Sequence, residues 1–221
     1  MSVFDIIITY REGLLAGLLV TLKLCLIIWA SGILIGTLLG YFGSKYRGEI
    51  GSPSRIISFI LSVVTILILL FWLHYPLQAI LQISINPFFT AAFALSLLNI
   101  FGVADLVRSA LVNFPTQYNL AAKVCGLSQK ETFLKIELPI ITRQILPSLL
   151  NLQVTMLQLT LFASLISVEE IFRVAQRINA IIYKPIEIYT ALAIFFLIIC
   201  LPLNGIALWL KNKYTRDISE N

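Results

Sequence analysis

Residues Pro115 to Pro139 read P-T-Q-Y-N-L-A-A-K-V-C-G-L-S-Q-K-E-T-F-L-K-I-E-L-P, a polar island between two long apolar segments. Leu120, Ala121 and Ala122 are good helix formers. Gly126 suits a left-handed cap at a helix C-terminus. Ser128 is an N-cap residue with Glu131 three positions on, the spacing of a capping box. The stretch therefore reads as a helix, a glycine break and a second short helix. Pro139 is expected either to stop that second helix or to open the apolar segment behind it.

The sequence around the island is 59% hydrophobic and 12% charged, with a mean hydropathy of +0.94. Soluble domains carry roughly 25% charged residues, so the chain reads as an integral membrane protein. Its 221 residues leave room for one bundle of spans, 1–221, and no separate soluble module. No G-x-x-x-x-G-K-[ST] loop is present, so ATP, if used, must be hydrolysed by another chain. The net charge of +5 does not mark a nucleic-acid partner, because the basic residues flank apolar spans, where topology accounts for them. Cys25, Cys125 and Cys200 follow no ligand spacing, and neither a metal nor another cofactor is expected. The N-terminus carries Asp5, Arg11 and Glu12 rather than the basic region of a cleavable signal.

Four stretches lack Asp, Glu, Lys and Arg: Leu24 to Ser44, Ile56 to Ala104, Gln144 to Val168 and Ile188 to Leu210. A span needs about 20 apolar residues, so the second stretch holds two, divided between His74-Tyr75-Pro76 and Asn86-Pro87. The expected fold is an all-α membrane bundle of about five helices, over 13–42, 55–75, 87–112, 140–167 and 187–210. Lys and Arg near the span ends set orientation. Ten lie on one side, in the loop after span one, in the island and in the tail; Arg11, Arg173, Arg177 and Lys184 lie on the other. The island, 113–139, and the C-terminus are thus expected in the cytoplasm and the N-terminus outside.

The order Ala121-Ala122, three residues, Gly126-Leu127-Ser128 and then Leu138-Pro139 resembles the cytoplasmic loop of binding-protein-dependent ABC importer permeases. Gly17-Leu-Leu-Val-Thr-Leu-Lys-Leu24 and Pro185-x-Glu187-x-Tyr189 resemble the polar amino acid branch, the histidine- and glutamine-type permeases. The resemblance covers most of the chain. It implies a type I importer permease fold in a bacterial inner membrane and translocation of an amino acid or similar small solute. It implies three kinds of partner: an ATPase subunit, a second permease subunit, identical or not, and a periplasmic or surface-tethered solute-binding protein. It also implies that Leu120, Ala121, Ala122, Lys123, Gly126, Leu127, Ser128 and Pro139 form the coupling helix region gripped by the ATPase. Ala121, Ala122 and Gly126 would then be its close-contact face. The sequence departs from the family at Leu120, where Glu is usual. It departs again at Leu61-Ser62-Val63-Val64, Leu98 to Gly102 and Gln158-Leu159-Thr160-Leu161, which stand where more polar or special motifs are usual. These losses favour one half of a heterodimer, with a homodimer for a less polar solute as the alternative.

Within the spans, Gly32, Gly36 and Gly40 line one helix face, for packing inside the bundle or against a partner permease. Asp105 and Arg108 are neighbours on a helix, a structural pair or a gate. Span four carries Gln153, Thr155, Gln158, Thr160, Ser164 and Ser167, which lipid would not accommodate. Candidate solute-path residues are Asn99, Asp105, Arg108, Gln153, Gln158, Thr160 and Ser164. Glu169 and Arg173 are spaced for a helix-surface pair on the outer side. His74, the only histidine, has no partner for acid–base chemistry, so the chain is not expected to be an enzyme. Two other classes remain at this stage: a non-transporting scaffold derived from a permease, and an ATP-independent secondary transporter, the latter disfavoured by the lack of a visible repeat.

Overall fold

The structure, a computed structural model, describes residues 3–219, with side chains described through 214. Arg216, counted in the tail's charge, lies outside the described side chains. Regular structure among the described residues is helical: α1 (Val3–Thr9), α2 (Arg11–Lys45), α3 (Ser52–Val63), α4 (Ile66–His74), α5 (Pro76–Leu81), α6 (Pro87–Val112), α7 (Thr116–Val124), α8 (Gln129–Thr132), α9 (Leu138–Leu159), α10 (Ile171–Ile182) and α11 (Pro185–Ser219).

Among the described residues, four helical runs are long and apolar enough to cross a membrane: Arg11–Lys45, Pro87–Val112, Gln129–Ile166 and Pro185–Tyr214. The expected span over 55–75 is not one straight helix. It consists of α3 and α4, and the run Arg47–Val63 is bent by 98° from Ile66–Leu81. The break falls at Val64 and Thr65, whose backbones are extended, with ψ of 121° and 133°. Both are β-branched residues that give up helix readily, and no glycine or proline marks the place.

The core of the bundle is the seam between α2 and α6. Gly36 and Gly40 face α6 so closely that an added Cβ would lie 2.7 Å from the carbonyl oxygens of Ile100 and Ala104 respectively. One turn earlier, Gly32 makes room for the Asn99 side chain. The small-residue face is thus spent within this chain, which settles the choice left open by spacing alone. Leu24, Ile28, Leu70, Ala91, Leu95 and Ile166 close the apolar core above it.

Two helices begin with a wide π turn, Arg47–Gly51 before α3 and Phe133–Glu137 before α9. Each lies just ahead of a proline, Pro53 and Pro139. A proline lacks an N–H and crowds the carbonyl four residues back. Widening the preceding turn relieves that crowding while the helix continues.

On the opposite side of the bundle, α5 is tied to α6 by Gln78, whose Nε2 donates to Thr90 Oγ1 at 3.1 Å and whose Oε1 accepts from Ile85 N at 2.9 Å. His74 Nδ1 lies 3.2 Å from Gln78 Nε2. The connector after α9 is capped by Glu170, which is fully buried and accepts from the N–H groups of Phe172 and Arg173. Burial pushes its carboxyl up to about 7, with Glu169 adding to the shift and the two N–H bonds opposing it. Because Glu170 is the N-cap, Glu169 lies before the helix begins. It pairs with Arg177 at 3.0 Å, not with Arg173 as the spacing implied.

Gly36→Ala forces a methyl against the Ile100 carbonyl and is expected to cost about 1–3 kcal/mol, the range for overpacking. Gly205→Ala, with nothing within 4 Å of the added methyl, is expected to be neutral or stabilising. Thermal unfolding of the purified protein in detergent compares the two.

Candidate functional site

The island folds as two helices with a left-handed residue between them. The C-terminus of α7 is a Schellman cap: Leu127 N donates to Ala122 O at 3.1 Å and Gly126 N to Lys123 O at 3.0 Å. Gly126 has φ +75°, which only glycine adopts without cost. The next helix starts with the expected capping box. Glu131 N donates to Ser128 Oγ at 3.3 Å, and Ser128 N donates to Glu131 Oε2 at 3.1 Å. Lys135 holds the same carboxylate from one turn on, at 3.1 Å.

Gln117, Leu120, Ala121 and Val124 form the outward stripe of α7 and are all exposed, Leu120 at 62% and Val124 at 89%. Large apolar side chains so exposed on a polar helix mark a surface for a protein partner. Lys123, Gly126, Ser128 and Pro139 are exposed as well, and Leu127 is half-buried. Ala122 is different: it is 2% exposed and faces this chain. The expected contact face of Ala121, Ala122 and Gly126 is corrected accordingly. Only two of the three face outward, and Leu120 and Val124 supply the apolar ridge. Periodicity decides this, because Ala121 and Ala122 are 100° apart on the helix.

Pro139 neither stops the second helix nor starts a separate one. Helical structure runs without a break from Gln129 to Ile166, 38 residues, through the wide turn at Phe133–Glu137. Phe133 lies against Tyr41 of α2, with ring centroids 5.7 Å apart. The polar island is therefore fused to span four.

Span four separates its polar residues by face. Gln144, Ser148, Asn151, Thr155 and Gln158 are all exposed and are spaced by four, three, four and three positions. They form one stripe of neutral amides and hydroxyls along α9. These groups both donate and accept hydrogen bonds. Thr155 returns its hydroxyl to Asn151 O at 3.0 Å, whereas the amides of Gln144, Asn151 and Gln158 would be left unsatisfied by hydrocarbon. Gln153 points the other way. Its Oε1 accepts from Asn99 Nδ2 at 2.9 Å and its Nε2 donates to Asn99 Oδ1 at 3.2 Å. Asn99 Nδ2 also donates to Ile28 O at 2.8 Å, and Trp29 Nε1 donates to Gln153 O at 3.1 Å. One buried network thus joins α2, α6 and α9.

Of the candidate path residues, the structure brings Asn99 and Gln153 together and seals both inside the chain. Thr160 and Ser164 are buried and return their hydroxyls to Leu157 O and Leu161 O of their own helix. Asp105 and Arg108 form an ion pair with each other on α6, further along the helix from Asn99, and share no hydrogen bond with this network. Gln158 alone lies on the exposed stripe. Gln144, Ser148 and Asn151 escaped sequence reasoning, although the alternating four-and-three spacing was there to be read.

The family of binding-protein-dependent transport system inner membrane components matches residues 32–216. This chain belongs to that family. It is a multi-pass permease subunit of an ABC importer. Family membership implies a separate ATPase subunit and a solute-binding protein, and the reading as a transport subunit rather than an enzyme stands. Among its relatives is the glutamine transport system permease protein GlnP of Escherichia coli K12, 28% identical over 202 residues, 90% of this chain and 92% of that one. The permease HisQ of Salmonella typhimurium, of a histidine/lysine/arginine/ornithine transport system, is 25% identical over 91% of this chain and 93% of its own. The fold matches that in a crystal structure of an amino acid ABC transporter with histidines, with a TM-score of 0.83 at 20% identity over 94% of this chain and 96% of that one. It also matches the MetNI methionine ABC transporter, with a TM-score of 0.70 at 17% identity over 93% and 98%.

Asn99→Leu in this permease strands the buried amide of Gln153 and is expected to cost about 1–3 kcal/mol. The double variant Asn99→Leu/Gln153→Leu should recover part of that loss; a double-mutant cycle of thermal stability measures it. Gly126→Ala strains the left-handed cap by about 1–2 kcal/mol, whereas Gly126→Asn is tolerated better. ATPase stimulation in the reconstituted importer should fall in the same order.

Proposed function

We propose that this permease imports an amino acid or a similar small polar solute and that the solute passes along the exposed stripe of α9. The supporting observation is the stripe itself: five neutral polar side chains, Gln144 to Gln158, on the outer face of a membrane-crossing helix. Such a face is stable only against water, solute or another polar surface. A second permease subunit, identical or not, would close the path from the other side. Kinship with a glutamine permease and a histidine/lysine/arginine/ornithine permease supports a zwitterionic solute, for which amides and hydroxyls offer balanced donors and acceptors.

Coupling follows from continuity. In this reading the island faces the cytoplasm and the N-terminus lies outside, as the basic residues indicate. The ATPase grips Gln117, Leu120, Ala121 and Val124 on α7. The capped turn at Gly126 to Ser128 passes the displacement to α8, and the unbroken helix from Gln129 carries it to the stripe. A packed helix moves as a body, so the island and the stripe shift together. Asn99 and Gln153 keep span four in register with α2 and α6 as it moves. The whole chain, 1–221, acts as one permease domain.

Asn151→Leu/Thr155→Leu removes the middle of the stripe without touching the buried network. Uptake of radiolabelled amino acid into proteoliposomes holding the permease, its ATPase and its binding protein is expected to fall about tenfold or more, the factor that 1.4 kcal/mol represents. Unchanged uptake with the apolar stripe would show that the solute does not travel along this face.

A further inference from the structure

A second polar surface lies away from the stripe, in a groove between α3 and the end of α6. Arg55, Ser58 and Ser62 line it from α3, Asp105 and Arg108 line it from α6, and Asn113, the residue that caps α6, closes its end. The α3 residues recur at i, i+3 and i+7, so they share one face of that helix. The adjacent face of α3 carries Ile56, Phe59, Ile60 and Val63, exposed by 59%, 69%, 52% and 67%. Their spacing, i, i+3, i+4 and i+7, makes α3 amphipathic. The helix is about 18 Å long and lies across the direction of α4 because of the 98° bend. An amphipathic helix laid across a bundle at its edge has the form of one that lies in the membrane interface.

The charges of the groove favour an anion. Arg108 is paired with Asp105, its side chain mostly buried and that of Asp105 half exposed. Arg55 is exposed and forms no ion pair among the described residues. The adjoining turn adds Lys45, Arg47 and Glu49, leaving an excess of two positive charges around the groove. The Ser62 hydroxyl is returned to Phe59 O, and the Asn113 amide gives one N–H to Ser109 Oγ and keeps the other at the side of the groove. Guanidinium groups bind phosphate through paired N–H donors. The groove opens directly beside the exposed apolar face of α3, so a ligand with a phosphate and acyl chains would satisfy both surfaces at once.

We propose that this groove binds the headgroup of an anionic phospholipid of the phosphatidylglycerol type. The phosphate sits between Arg55 and Arg108, and the acyl chains lie along Ile56, Phe59, Ile60 and Val63. Asn113 immediately precedes the coupling segment, so the lipid belongs to the leaflet on the coupling side. That leaflet is the inner one on the orientation given under "Proposed function"; binding itself does not depend on solute or direction of transport. A lipid held there braces α3 against the end of α6 from which α7 departs.

The test uses the permease–ATPase complex in nanodiscs of phosphatidylethanolamine with graded phosphatidylglycerol, followed by native mass spectrometry of retained lipid. Wild type is expected to retain phosphatidylglycerol in preference to phosphatidylethanolamine. Arg55→Gln should weaken retention about fivefold, the factor carried by one basic side chain near an anionic surface. Arg55→Lys should keep most of it. Ser62→Glu, at an exposed position on the rim, should abolish it without disturbing the core. Equal retention in wild type, Arg55→Gln and Ser62→Glu would overturn the proposal. So would full displacement by millimolar glycerol phosphate, since the site would then be one for a free anion and not for a lipid.

Discussion

Backbone-to-backbone approach of α2 and α6 is the constraint on which the permease is built. Helices in a bilayer gain little from burying apolar side chains, because lipid tails are equally apolar. What remains is close packing and hydrogen bonding. Gly36 and Gly40 bring α2 against the carbonyls of α6, and Asn99 reaches through the space beside Gly32 to the Ile28 carbonyl. The same amide then holds Gln153 of α9. A seam of small residues and one amide pair thereby set the relative positions of three spans, and the remaining elements pack around them.

That fixed frame gives the continuous helix from Gln129 to Ile166 something to move against. Its first turn begins at the Ser128–Glu131 box, next to the exposed side chains of α7; its middle carries the outward polar stripe. Pro139 would be expected to interrupt this connection. The wide turn before it absorbs the missing N–H and the ring, and the helix runs on. A lever that is helical throughout transmits displacement, whereas a flexible joint would dissipate it. The break that does exist, at Gly126, lies ahead of this helix and is itself held by two hydrogen bonds of the Schellman cap.

Polar groups are distributed over the spans by face rather than by depth. Gln153 and Gln158 are five residues apart, yet one is sealed in a network and the other lies open. Thr160 and Ser164 satisfy themselves on their own helix and need no partner. The Asp105–Arg108 pair belongs to a third setting, the groove against α3, whose character comes from the bend between α3 and α4. These are separate physical solutions to one problem, the cost of unsatisfied polar groups in hydrocarbon.

Local chemistry was sufficient for some of this. Charge-free length marked the helical runs long and apolar enough to cross a membrane, and α6 begins and ends at Pro87 and Val112. The capping box and the left-handed Gly126 are set by bonds within a few positions, so sequence alone determined them. The helical period also contained the stripe and the inward turn of Ala122, but only tertiary packing decided which face of each helix met a neighbour. The 98° bend lies at Val64 and Thr65, where β-branched residues weaken the helix without dictating a direction. The Glu169–Arg177 pair replaced the expected one because a buried cap moved the start of α10. The Glu170 cap reaches only Phe172 and Arg173 and is local, but which face of a span meets a neighbour is decided by contacts between residues far apart in the chain, such as Asn99 with Gln153, that no local propensity encodes.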